Sequence, residues 1–485
     1  MDGTDGSTQE FEVVEIASDG DVLLDVTFET SSETLKAARK AAKPRPGQKI
    51  TTPGPVLRPN VRIGYRVQLS VLKQKSKYFN NLFGDTRFSE AKSIAAAFEQ
   101  LTLRNIKPSE APTSDLPAVR IHEDDETTKL AGQDAVFADL LRILHDKPRD
   151  LTPGTGTSTS AKPWTMHRLA TLAVLADRFD CALPVSKNLS SLKFKWPATT
   201  TSLPKDDRHF LASLTKSSEE TLRQKILVSW LLDQPLKFHA ATRELVLYGS
   251  HRWVLPSASP EADSEDSDPS YTAAWWHLPD DLESELQHRR HCILATLSSI
   301  PRHFLTLYTS KSRQCKLGYD SSASCDSFQL GEMAKFFLSH NLICLSDFSA
   351  PSAEDAFRLV DGFATVDVGA IVNVLKQCTG YQIDKHHTNC GLRTRIAPVL
   401  VYVGTMLGSG AVGVQRAAWK RARGDVSWLG EGQGERDDQG EGPRVFRFTR
   451  SLAGDQRLRF EGAMAADRMA RSLFTAEGWD WTPED

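Results

Sequence analysis

The side chains best suited to chemistry are the sulfur and imidazole groups of CKLGYDSSASC (315–325) and CTGYQIDKHHTNC (378–390). Cys315, Cys325, Cys378, Cys390, His386 and His387 are soft or borderline ligands, and four of them suffice to close a tetrahedral zinc site. Their spacing is irregular. Structural zinc sites pair ligands about two to four residues apart, and only His387 with Cys390 does so. Buried free cysteines also serve as small apolar core residues. The expectation is therefore core or capping roles and no cofactor, with zinc held among Cys315, Cys325, Cys378, His387 and Cys390 as the alternative.

Other catalytic patterns fail on context. HEDDE (122–126) begins like the zincin HExxH, but Glu126 stands where the second histidine belongs, so a strand end with an acidic loop is expected. GSGAVG (408–413) matches GxGxxG, yet a helical pattern precedes it where a dinucleotide-binding turn needs a strand. No GxxxxGK[ST] and no GxSxG occurs, so neither a phosphate cradle nor a nucleophile elbow has local support. The basic stretch RAAWKRAR (416–423) and the arginine- and phenylalanine-rich segment 444–462 suit an anionic partner. They read more plainly as a solvated face and a β-hairpin around AGDQ, and no zinc-finger array, homeodomain or basic zipper accompanies them.

Composition limits the broad class. With 485 residues, 40% hydrophobic and 25% charged, the chain can bury at least two cores. A net charge of -3 and a pI near 6.5 give no global reason to expect nucleic acid or an anionic membrane. Residues 1–20 are acidic and lack the basic and apolar regions of a secretory signal. The seven scattered cysteines, an odd number, favour a reducing cytoplasmic or nuclear setting over a disulfide framework. Twenty uncharged residues, 396–415, imitate a membrane span. However, Ile396, Val399, Leu400, Val403, Met406 and Leu407 recur at helical spacing and Gly408 sits where a helix cap belongs, so a buried soluble helix is expected.

The elements that must position these groups are legible from hydrophobic period. In VRIGYRVQLSVLKQKSKYFNNLF (61–83), alternation at Ile63, Tyr65, Val67 and Leu69 predicts a strand, and it gives way to helical spacing from an N-cap at Ser70. Leu72, Ser76, Phe79 and Phe83 fall on that helix's buried side. Val22, Leu24, Val26 and Phe28 predict the strand paired with it, and Leu116, Val119 and Ile121 predict a third. Two helices follow, through Phe137, Leu140 and Leu144, and through Leu169, Leu172, Ala176 and Phe179. The fold class is α+β, with a mainly helical C-terminal region and a short β-hairpin.

The domain plan follows from the Pro-, Gly- and Ser-rich stretches. Residues 1–17 read as a flexible terminus and 18–185 as one domain with insertions at 36–60, 104–117 and 146–163. Residues 186–255 form a helical extension, and the acidic linker 256–270 marks the main boundary. A helical domain (271–428), a Gly-rich acidic linker (429–442) and a C-terminal hairpin and helix (443–485) complete it.

Five ordered segments carry a family resemblance: GDVLLDVTF (20–28), YRVQLSVLKQKSKYFNNLF (65–83), VRIHEDDE (119–126), FADLLRILH (137–145) and LATLAVLADRFDC (169–181). Together they resemble the BTB/POZ domain, most closely the fungal version, whose closing helix carries an LADKY-type motif, here LADRF (175–179). The resemblance implies a non-catalytic protein-binding scaffold, in many relatives an adaptor for the cullin of a ubiquitin ligase. It implies a core at Asp25, Leu72, Ser76, Phe79 and Phe83, and partner contacts near His122, Asp124, Phe137 and Leu140. Dimeric members pair the strand Asp with a basic residue after the second strand; Leu69 stands there, so dimerisation is not expected. The alternative function is a metal- or RNA-binding C-terminal module assembled through the BTB-like domain.

Overall fold

The computed structural model describes residues 12–41, 57–147, 164–191, 213–253, 272–315, 320–340, 363–388, 390–408 and 412–421, with Trp196, Leu317 and Leu342. The chain divides into two compact units. The first comprises Met1–Ala198, Gln224–Gln234 and Asp263–Leu278; the second takes Thr199–Arg223, Pro235–Ala262 and Pro279–Asp485. The division does not follow the single boundary expected at 256–270, because short pieces from further along the chain join the first unit's core. Trp275 and Trp276 are two such residues, both buried there. The expected linkers 256–270 and 429–442 and the hairpin at 443–485 lie outside the described residues.

The first unit is α+β. Strands β1 (Glu12–Glu15), β2 (Val22–Glu29), β3 (Asn60–Val67) and β4 (Ala118–Asp124) form a mixed sheet in the order β1-β3-β2-β4. β2 runs antiparallel to β3, with Val22 opposite Val67 and Glu29 opposite Asn60, while β1 and β4 pair in parallel with β3 and β2. Of the terminus expected to be flexible (1–17), residues 1–11 lie outside the described residues, and β1 corrects the expectation for Glu12–Glu15: EVVE is too short to show a period, but β3 gives its backbone a ladder. The expected insertion at 36–60 likewise contains the end of helix α1 (Ser32–Ala41) and the first residue of β3.

After β3 the predicted single helix is two. α2 (Leu69–Lys75) starts one residue before Ser70, so Gln68 takes the cap position and Ser70 does not. The chain then extends at Ser76 (φ -129, ψ 123) before α3 (Lys77–Gly84) begins. The Ser76 hydroxyl accepts from Phe79 N at 3.1 Å, an N-cap, and donates to the Phe179 carbonyl at 2.6 Å. Ser76 therefore joins two helices to the end of a third; it is not a small residue in mid-helix.

α4 (Ser89–Leu103), unannounced by its mixed pattern, α5 (Gln133–Leu144), α6 (Met166–Arg178) and α7 (Ala182–Ser191) complete the unit's helical part. Five rings run through its core. Phe83 stacks on Phe79 at 5.5 Å and Phe79 on Phe179 at 5.3 Å; Phe179 meets Phe137 edge-on, and Phe137 meets Phe28. The expected core residues Asp25, Leu72, Ser76, Phe79 and Phe83 are all buried. Asp25 is neutralised within the chain, taking both donors of the Arg62 fork at 2.8 and 2.7 Å.

Helix α8 (Lys216–Leu231) contributes its last eight residues to the first unit, and α9 (Pro235–Tyr248) belongs to the second. Among the described residues, the other second-unit α-helices are α10 (Leu282–Thr309), α11 (Ser322–Ser339), α12 (Val368–Lys376), α13 (Leu392–Gly408) and α14 (Arg416–Arg421). In α13, Ile396, Val399, Leu400, Val403 and Leu407 form the expected buried stripe, and the helix runs through Gly408. Among the described residues, no helix is long and apolar enough to cross a membrane. In α14 the aromatic of the basic stretch faces inward: Trp419 is buried and its indole N–H donates to Asp280 O.

Two buried cations tie the second unit together. Arg223 pairs with Glu219 and Glu283, and the Ser250 hydroxyl shares the Glu219 carboxylate. Arg290 is fully buried and donates to four backbone carbonyls, Val246, Leu247, Phe363 and Val366. That clamp brings the end of α9 against residues 363–366 so closely that a side chain at Gly249 (φ 82) would overlap the Ala364 carbonyl.

Candidate metal centre

Cys315, Cys325, His387 and Cys390 converge in the second unit, with one ligand atom from each lying within 4.8 Å of every other. Each is placed by local chemistry. Cys325 sits at the end of the first turn of α11, its N–H bonded to Ser321 O. The next residue, Asp326, accepts from the backbone N–H groups of Gln314 and Cys315 at 2.8 Å each and so fixes the strand-like approach of Cys315. Arg395 on α13 holds Gln314 through its side-chain and main-chain oxygens.

His387 and Cys390 come from a turn closed by Asp384, whose Oδ1 accepts from His386 N at 2.8 Å and His387 N at 3.2 Å. Those N–H groups, His386 first, hold the Asp384 carboxyl below its ordinary range. The Tyr308 hydroxyl of α10 donates to Cys390 O at 2.7 Å, and Gln329 of α11 donates to Tyr381 O. Three helices thus frame a site whose own ligands lie mostly in loops.

Three of the six ligand–ligand distances match tetrahedral zinc edges, and Cys325 lies within 4.8 Å of the other three. Zn–S of about 2.3 Å and Zn–N of about 2.05 Å imply S···S edges near 3.8 Å and S···N edges near 3.5 Å. Cys315 and Cys390 sulfurs are 3.8 Å apart, and His387 Nδ1 lies 3.4 Å from Cys315 Sγ and 3.7 Å from Cys390 Sγ. The imidazole orientation agrees. Nδ1 faces the sulfurs while Nε2 lies 3.2 Å from Ser321 Oγ and 3.7 Å from Asp384 Oδ2, so a metal here would take Nδ1 and leave Nε2–H as the outward donor.

Burial, then the neighbouring Cys390 and Cys315, pushes the Cys325 thiol up to about 12, and burial likewise raises Cys390. At Cys315 burial opposes ionisation, but the Leu317 N–H and the neighbouring thiols bring its pKa below the ordinary value. One thiolate is tolerated; three in this volume need a metal.

Two sequence candidates fall outside the cluster. Cys378, just beyond α12, is buried with its sulfur 3.8 Å from the Thr379 carbonyl, and burial pushes its thiol up to about 11. It behaves as a small apolar residue, which corrects its inclusion among the ligands. His386 is exposed on the far side of the Asp384 turn.

The candidate partner residues of the first unit also separate. His122 is exposed on β4, 3.6 Å from Glu29, and Asp124 is half-buried at the strand end, where it accepts from Glu126 N. Phe137 and Leu140 are fully buried on the inner face of α5, which corrects their assignment as contacts: they have no surface to offer a partner. Between His122 and Asp124, Glu123 points inward to Arg178 at 3.0 Å, and burial pushes its carboxyl up to about 7. That inward acid was hidden in the run of charges HEDDE.

No family model, curated protein or solved structure matches this chain.

Proposed function

We propose that this chain is a non-catalytic interaction protein whose second unit is organised by one structural zinc ion bound to Cys315, Cys325, His387 and Cys390. The single observation that carries the metal reading is the agreement of the three sulfur and nitrogen separations with tetrahedral zinc edges. Four protein ligands leave no open coordination position, which favours a structural over a catalytic role. The Cys315–His387 pair is poorly placed as a nucleophile and base, because Cys315 is 3% exposed and two further sulfurs crowd it.

Protein binding is assigned to the first unit on its resemblance to BTB/POZ domains, supported by the five segments falling in order on β2, β3 to α3, β4, α5 and α6. A cullin scaffold is the partner class this reading names, with His122 and Asp124 at the available edge. Metal analysis of the purified full chain tests the first part: one zinc per chain is expected, falling toward none in His387→Ala and unchanged in Cys378→Ala. Full zinc occupancy in His387→Ala would sink it. Affinity purification from the protein's own cells tests the second, with a cullin expected and its absence counting against the adaptor role.

A further inference from the structure

The four ligands differ in their access to solvent. Cys325 and His387 are completely buried and Cys315 is 3% exposed, whereas Cys390 is half-buried at the rim. Its sulfur is 3.8 Å from that of Cys315, close enough for small side-chain rotations to bring the two into bonding range. The most accessible cysteine of the centre thus has a second sulfur 3.8 Å from its own.

We propose that Cys390 is an oxidative modification site: a hydroperoxide attacks the centre there, Cys315 resolves the product as a disulfide, and zinc is released. The inference rests on the zinc reading above. The Cys390 thiolate attacks one peroxide oxygen; an S–O bond forms, the O–O bond breaks, and hydroxide or an alkoxide leaves with the electron pair. The Cys315 thiolate then attacks the Cys390 sulfur, the S–S bond forms and a second hydroxide leaves. Two thiolates are oxidised by two electrons, the peroxide is reduced by two, and two protons from solvent neutralise the leaving groups. A disulfide is a poor zinc ligand, so only Cys325 and His387 remain and the ion departs.

The test uses the zinc-loaded full chain titrated with hydrogen peroxide, following released zinc with a chromophoric chelator and assigning oxidised thiols by differential alkylation and mass spectrometry. Expected is one zinc released per pair of thiols lost, the pair being Cys315 and Cys390, with reversal by dithiothreitol and added zinc. Zinc retained while peroxide is consumed overturns the proposal, as does release with oxidation at Cys325 or Cys378 in place of the named pair. A chain that binds no zinc overturns the metal reading itself, and the initial metal content tells the two failures apart.

Discussion

Glu123 illustrates how one side chain can set the pH response of a unit. It is 1% exposed, Arg178 meets only Oε2, and Oε1 has no hydrogen-bond partner among the described residues. Burial raises its folded pKa to about 7, so between roughly pH 4.3 and 7 the folded state binds the extra proton. Its stabilising contribution is complete below the unfolded pKa and is lost as pH rises through about 7, a span of up to about 3 kcal/mol. Urea unfolding at pH 5 and pH 8 should show that loss, and Glu123→Gln should reduce it; an unchanged pH dependence in the variant would sink the assignment. The sequence concealed this residue among three neighbouring acids, because inward and outward positions of HEDDE carry the same chemistry. It concealed the Cys3His cluster differently. His387 and Cys390 were recognisable as a pair, but Cys378 and Cys390 flank the same loop symmetrically, and only the fold turns one sulfur toward Cys315 and the other into the core.

At the scale of elements, the turn from β3 into its helices was legible as a change of period but not as a break. The apolar positions Leu72, Phe79 and Phe83 keep helical spacing across Ser76, since the short interruption leaves both helices facing the same core. Removing the Ser76 hydroxyl leaves Phe79 N–H and Phe179 C=O without their buried partner, so Ser76→Ala should cost about 2 to 3 kcal/mol in denaturant midpoint experiments. Phe79→Ala should cost about 3 to 5 kcal/mol, because it removes the ring that joins Phe83 to Phe179. A loss below about 1 kcal/mol would show that the ring stack is not central. In the second unit the Arg290 clamp had no sequence signature at all: its partners are carbonyls, which every residue carries. Arg290→Lys should destabilise by about 3 kcal/mol or more despite keeping the charge, because an ammonium lacks the planar fork that reaches two pairs of carbonyls. Wild-type thermal stability in that variant would show that the charge alone suffices.

For the whole molecule, the two compact units should respond separately to metal removal. Chelation is expected to raise amide exchange in α11 and in the first turns of α13, which hold or brace the ligands, while β2, β3 and α5 keep their protection. Equal loosening of both units in hydrogen-exchange mass spectrometry would contradict a zinc that organises only the second. The α+β class, the N-terminal sheet and the buried nature of α13 were readable from periodicity, because each depends on which face is apolar. The division of the chain was not, since Trp275 and Trp276 join the first unit's core from beyond a long polar stretch and tryptophans in sequence carry no address. The ligand order has a consequence for biogenesis. On a translating ribosome Cys325 emerges about sixty residues ahead of His387, an interval of roughly 3 to 12 s at ordinary elongation rates. On the zinc reading proposed above, the two ligand thiols already made wait throughout that time for the other two ligands, so loading comes late and a chain ending before Cys390 cannot complete the site.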